Sequence, residues 1–141
     1  MPVGNLGPEE VVTVSPDQTV DEVVDQFESE EVGAVVVTED DEPVGLVTDR
    51  DVALAVGDGD DVAQQSVEDL MTEDPVTIQE DAESIEAART IQEENVRRLP
   101  VVDDGGQLSG IVSTDDVVAT VGEQLDDIAD TIEAQSPDYS P

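Results

Sequence analysis

The sequence is written nearly twice. Val12-Thr13-Val14 corresponds to Val76-Thr77-Ile78, a shift of 64 positions. At the same shift Asp17 meets Asp81, Glu22 meets Glu86, Val32 meets Val96 and Val37 meets Val101. One residue is then inserted in an acidic loop. At a shift of 65, Gly45-Leu46-Val47-Thr48 meets Gly110-Ile111-Val112-Ser113, and Asp51-Val52 meets Asp116-Val117. The lead-in agrees as well, since Val3 and Leu6 answer Val67 and Leu70. A repeat this long with one insertion implies two copies of one structural unit, packed with pseudo-twofold symmetry. The groove between such copies is a natural ligand site.

The spacing predicts the same elements in each unit. Val11–Val14 reads as a short strand. Asp17 to Glu31 has helical spacing, with Val20, Val23, Val24 and Phe27 on one face, a start at Ser15-Pro16-Asp17 and a break at Gly33. Ala34–Thr38 is a continuous apolar run, as in a buried strand. Across the acidic turn 39–42 it pairs in a hairpin with Pro43–Val47, and a helix opens near Thr48 and ends near Val56-Gly57. The second unit repeats this: strand Pro75–Ile78, helix Ala82–Asn95, strand Leu99–Val102, turn 103–107, strand Leu108–Val112 and helix Thr114–Gly122, continuing to about Ala134. Residues 1–57 form the first repeat, 58–66 a linker and 67–122 the second repeat, opened by a short helical lead-in at 67–71. Residues 123–141 form a C-terminal helix and a frayed tail. Each unit is β-α-β-β-α, an α/β architecture.

Each unit, at roughly 55–60 residues, is near the size where burial alone is marginal, so mutual packing must supply much of the stability. The chain carries 38 acids against 4 arginines and no lysine, a net charge of −34. The acids are spread along its length. This resembles cytoplasmic proteins of salt-accumulating halophiles and points to a halophilic archaeal source; an ordinary acidic bacterial protein is the alternative. Nucleic acids and anionic membranes are poor partners for such a surface, because binding phosphate backbones needs clustered cations. A single Phe and no Trp argue against base stacking. Without Cys there is no disulfide or thiolate metal site, and without His the commonest general base is missing. No apolar run approaches transmembrane length, and no signal-peptide pattern is present, so a cytoplasmic location is expected.

The sharpest local signal is Gly45-Leu-Val-Thr48-Asp-Arg-Asp51 with its echo Gly110-Ile-Val-Ser113-Thr-Asp-Asp116. Each is a strand, a hydroxyl residue, a carboxylate three positions on, then a helix. One reading is a capping box, Thr48 or Ser113 capping the helix with Asp51 or Asp116 reaching back. The other is anion binding at a helix N-terminus, with the carboxylate accepting from a ribose diol. Asp58-Gly-Asp-Asp61 lacks the length and terminal Glu of a calcium loop and reads as linker; no metal site is expected.

This pattern, twice in tandem, resembles a pair of CBS domains, a Bateman module. Val67-Glu-Asp-Leu-Met71-Thr and Val96-Arg-Arg-Leu-Pro-Val-Val-Asp103 support the likeness, which covers residues 2 to about 122. The resemblance implies two tandem β-α-β-β-α repeats and an adenosine ligand (AMP, ADP, ATP or S-adenosylmethionine) in the cleft between them, with no tightly bound cofactor. It assigns Thr48 and Asp51 to one cleft and Ser113 and Asp116 to the other, as contacts to phosphate and ribose. It nominates Thr13 and Thr77 on the first strands. On the middle strands it nominates Val35, Leu99 and Pro100, where backbone contacts adenine. It also implies a disc-like homodimer associating through helices.

The arginines argue separately. Arg50 lies inside the first motif, and Arg97 and Arg98 precede the second middle strand. Arg89 sits four residues before Glu93, as in a surface ion pair. Three surviving cations beside the expected clefts suggest anion binding, and pairing with local carboxylates is the alternative. Arg50 aligns with Asp115, and Arg97 and Arg98 align with Gly33 and Ala34. The repeats therefore cannot offer equivalent sites, and one anionic nucleotide per chain is expected. The reading is a non-catalytic adenine-nucleotide-binding regulatory module. The alternative is a structural or dimerisation module with degenerate clefts. A metal-dependent acidic hydrolase lacks any supporting constellation.

Overall fold

Val-rich runs become strands buried on both faces, as β-branched residues without polar alternation should. The computed structural model describes residues 2–7, 11–59 and 61–135. In chain order the strands are β1 (Thr13–Val14), β2 (Ala34–Glu39), β3 (Glu42–Thr48), β4 (Thr72–Glu73), β5 (Ile78–Gln79), β6 (Arg98–Val102) and β7 (Leu108–Ser113). The helices are α1 (Val20–Ser29), α2 (Asp49–Asp58), α3 (Ser84–Glu94) and α4 (Thr114–Gln135). Single 3-10 turns lie at Val3–Asn5, Val62–Gln64 and Val67–Asp69. The sheets are ordered β1-β2-β3-β4 and β5-β6-β7.

The repeat extends to the pairing register. In the first sheet Ala34 faces Thr48 and Val36 faces Leu46; in the second Arg98 faces Ser113 and Pro100 faces Ile111. Both hairpins carry a register shift at the same place, after Val37 and after Val101. Their turns differ. Asp40 and Asp41, both at positive φ, close the first in two residues, as a twisted hairpin requires. The second uses residues 103–107, with Asp103 Oδ1 accepting from the Gly105 and Gln107 amides. β1 and β5 are shorter than their apolar runs. In the first sheet the Val36 amide donates to the Val12 carbonyl at 3.1 Å. Its counterpart is Pro100, which has no N–H, so β5 begins only at Ile78.

Helices α1 and α3 start later than their spacing predicts, at Val20 and Ser84. The carbonyls of Gln18 and Ala82 are already taken, accepting at 2.8 Å from Val67 N–H and 2.7 Å from Val3 N–H. Residues 15–18 form a turn instead, closed by Gln18 N–H to the Ser15 carbonyl. The break after α1 is also not at Gly33. The chain turns at Glu31, φ 54°, matched in the second repeat by Asn95, φ 55°, each ending its helix in the left-handed region. Val24, expected on the core face, is 40% exposed; Val20 and Val23 alone are buried on α1. The frayed tail expected at 135–141 lies, beyond Gln135, outside the described residues.

The two lead-ins are exchanged. Val3 belongs to the core of the second repeat, packed with Leu99, Val101, Val112 and Val117. Val67 belongs to the core of the first, with Val23, Val35, Val37 and Val47. Met71 packs against that first core and lies over Gly45, where any Cβ would strike its thioether. Thr72 and Glu73 then form β4 on the edge of the first sheet, opposite Leu46 and Gly45. A direct bond joins the hairpins too, Leu108 N–H to the Asp41 carbonyl at 2.7 Å.

Candidate functional site

Both motifs place a hydroxyl at the last strand residue and a carboxylate in the first helical turn. Thr48 caps α2: its Oγ1 accepts from Asp51 N–H at 3.2 Å, and Asp51 Oδ2 accepts from Thr48 N–H at 2.9 Å. Ser113 and Asp116 repeat this at the same two distances. The capping box read from sequence is therefore present in both units. It leaves each hydroxyl with its own proton free to donate, since a hydroxyl offers one donor and two acceptor sites.

The helix amides are less free than the sequence suggested. At the start of α2, Asp49 N–H donates to the Gly33 carbonyl, Arg50 N–H to Asp49 Oδ1 and Asp51 N–H to Thr48 Oγ1. On α4 the Thr114 amide and hydroxyl both donate to the Arg97 carbonyl, at 2.9 and 3.2 Å. An anion at α2 would be met by side chains, not by unsatisfied backbone N–H groups.

The two helix starts face one cleft of about 460 Å³ between the repeats. That volume suits a small organic ligand. Thr48 and Arg50 enter from the first repeat, and Arg97, Arg98, Ser113 and Thr114 from the second. Leu46, Pro75, Val76 and Val96 supply an apolar wall. Asp49, Asp74 and Asp115 are the carboxylates on the lining. Three of the chain's four arginines thus share one cleft with three of its 38 acids. The remaining 35 acids are left with Arg89 alone. Among the described residues none of the arginines is held in an ion pair, and the Arg89–Glu93 pair is not formed, both side chains standing exposed. Opposite Arg98 lies Gly33; a Cβ there would come within 3.2 Å of Asp49 Oδ2 and 3.7 Å of the Arg98 guanidinium. The missing side chain in repeat one gives room to the cation from repeat two.

Other residues singled out in the sequence lie elsewhere. Asp51 and Asp116 are half-buried behind the cap hydroxyls and are not on the cleft lining; Asp51 borders a second groove of about 330 Å³ with Leu54, Asp58 and Gln65. Thr13 borders a small groove of about 210 Å³ between the hairpins. Thr77 is exposed, and Val35, Leu99 and Pro100 are buried, so the middle strands present backbone only. Sequence reasoning missed the segment Thr72 to Val76, which crosses from one sheet to the other and floors the cleft. Its signal was the apolar Pro75-Val76 pair just ahead of a strand. Asp49 and Asp115 were missed as cleft carboxylates, although both sit inside the quoted motifs. No group of three or more metal-ligating side chains is assembled among the described residues. No helix in them is long and apolar enough to cross a membrane.

The CBS domain family model matches this chain twice, over residues 3–58 and 67–123. The protein is a tandem CBS-domain protein. Its CBS pair is 36% identical over 132 residues to an uncharacterized protein of Methanopyrus kandleri, covering 87% of this chain and 67% of that protein. It is 40% identical over 110 residues to the inosine-5'-monophosphate dehydrogenase of Methanocaldococcus jannaschii, covering 77% of this chain but only 21% of the enzyme. Among solved structures it is similar to a CBS domain protein of Pyrobaculum aerophilum complexed with AMP, with a TM-score of 0.75, 25% identity, and coverage of 82% of this chain and 89% of that one. The α/β architecture of two CBS repeats is thus the fold of this chain.

Proposed function

We propose that this CBS pair is a non-catalytic regulatory module that binds one adenine nucleotide in the cleft between its repeats. The observation that carries the reading is the placement of Arg50, Arg97 and Arg98 on one cleft of a chain with net charge −34. Cations retained against such a composition, and not committed to local carboxylates, suit a phosphate, which guanidinium groups grip through paired hydrogen bonds. The AMP complex of the Pyrobaculum aerophilum protein supports an adenosine ligand for a pair of this shape. In this proposal the Thr48 and Ser113 hydroxyls donate to phosphate beside the arginines. The apolar wall of Leu46, Pro75, Val76 and Val96 takes the base. Asp51 and Asp116 stand behind the cap hydroxyls, off this lining, so a ribose that reaches Oδ1, the oxygen that the cap does not use, enters past Thr48 or Ser113. Val35, Leu99, Pro100, Thr13 and Thr77 lie off this cleft's lining and have no part in the proposed contact. AMP, ADP and ATP all meet these demands. S-adenosylmethionine offers the arginines only its single carboxylate, beside a cationic sulfonium and ammonium, and so gains less from them than a phosphate does.

Titration calorimetry in one molar-KCl buffer tests this. Wild-type protein should bind AMP, ADP or ATP with a stoichiometry near one per chain. Arg98→Ala should weaken that binding roughly ten- to a hundredfold, the loss of a charge-assisted hydrogen bond of about 1.5–3 kcal/mol. Arg89→Ala, on the exposed face of α3, should leave it unchanged. No heat and no thermal stabilisation by any adenosine ligand would reassign the module to a purely structural or dimerising role.

A further inference from the structure

Helix α4 runs far beyond the sheet it starts from. Val117 and Thr120 are its buried residues, and every position from Val121 to Gln135 is exposed. At 1.5 Å per residue that exposed length is about 22 Å. Isolated helices of such length are marginal in water, so packing must stabilise this one. The apolar residues on it are Val118, Val121, Leu125, Ile128 and Ile132, between 43% and 65% exposed. Their spacing is three, four, three, four, the a and d positions of two heptads. The family match ends at residue 123, so most of this stripe lies past the CBS pair.

The charges decide what covers the stripe. The positions flanking it, e and g, are Gly122, Gln124, Ala129 and Thr131. None is charged. The acids of this segment, Glu123, Asp126, Asp127, Asp130 and Glu133, all fall on the b, c and f positions, away from the seam. A basic partner helix would be recognised by acids at e and g. An acidic partner, above all a second copy of this chain, requires those positions to be neutral, because like charges facing across the seam repel. We infer that α4 pairs with α4 of a second copy as a two-stranded coiled coil over Val118–Ile132. The pairing holds two CBS pairs in one particle. It is concentration-dependent, since two heptads are short, and it is favoured by high salt, since two strongly acidic chains must approach. It does not rest on the nucleotide reading.

The chain has no cysteine, so an introduced thiol reports alone. Leu125 is the midpoint of the stripe and faces its own copy in a parallel or an antiparallel pair. Leu125→Cys should cross-link to a dimer on mild oxidation in molar KCl, whereas Glu123→Cys, on the outer face, should cross-link at least tenfold more slowly. Sedimentation velocity over a micromolar to millimolar series should give self-association for wild type that is at least tenfold weaker in each of the variants Leu125→Asp and Ile128→Asp. Both sites are exposed, so thermal unfolding should still show a folded CBS pair. A monomeric wild type across the series, dimers in both Asp variants at wild-type affinity, or equal cross-linking at 123 and 125 would overturn the inference.

Discussion

Asp51 shows how one residue can serve both fold and ligand. Its Oδ2 accepts the Thr48 amide and so completes the cap of α2. Its second oxygen has no hydrogen bond among the described residues and is the proposed ribose acceptor. The two roles separate in Asp51→Asn. The amide oxygen can still take the Thr48 N–H, so the cap persists and the melting temperature should stay close to wild type. The other position becomes an NH₂ donor, which cannot accept a ribose hydroxyl, and nucleotide affinity should fall about tenfold. Unchanged affinity in titration calorimetry would confine Asp51 to capping. Asp51→Ala, by contrast, should cost about 1 kcal/mol of stability whatever the ligand does, because the Thr48 amide loses its acceptor and the capping box is halved. Arg50, Arg97 and Arg98 were legible as a group from their scarcity and position, whereas Thr48 and Ser113, assigned to separate clefts, lie on the same one. What spacing could not tell was which groups turn into the cleft. Asp49 and Asp51 are two apart on the first turn of α2, and only Asp49 lines it.

At the scale of elements the exchanged lead-ins matter most. Val67 is 1% exposed in the core of the first repeat although it belongs by sequence to the second. Val67→Ala removes two methyl groups from that core and should cost about 2 kcal/mol. Denaturant unfolding should remain one transition, with its midpoint lowered, because Val3 ties the other core to the opposite end of the chain in the same way. Two separated transitions, with only one moved, would show that the repeats unfold independently. The strands, helices and hairpins were readable because each is a local pattern, repeated with one insertion. The exchange was not, since a 64-residue shift relates Val3 to Val67 without saying which core receives either. β4 escaped for a similar reason. Two residues, Thr72 and Glu73, carry no period, and their partner strand lies far away in sequence. The late starts of α1 and α3 follow from the exchange itself, because the lead-in amides occupy the carbonyls that a longer helix would have used.

The whole molecule is governed by where its charge lies. Among the described residues Thr120 is the only buried polar or charged side chain, so the acids lie at or near the surface. The first hairpin alone ends in four consecutive exposed acids, Glu39 to Glu42. A net charge of −34 on one small domain pair is self-repelling, and unfolding relieves that repulsion by moving the charges apart. The core opposing it is aliphatic and modest, mostly Val. Added salt changes the balance by screening: the Debye length is about 10 Å at 0.1 M and about 3 Å at 1 M. At 1 M only adjacent acids still interact, whereas at 0.1 M charges on neighbouring elements do. The melting temperature should therefore climb steadily as KCl is raised from tens of millimolar to molar. The same rise should be obtained with NaCl at equal ionic strength if screening is the cause. A melting temperature that does not move across that range would mean that the acids are spaced widely enough to ignore one another, and would remove the argument for a salt-adapted surface.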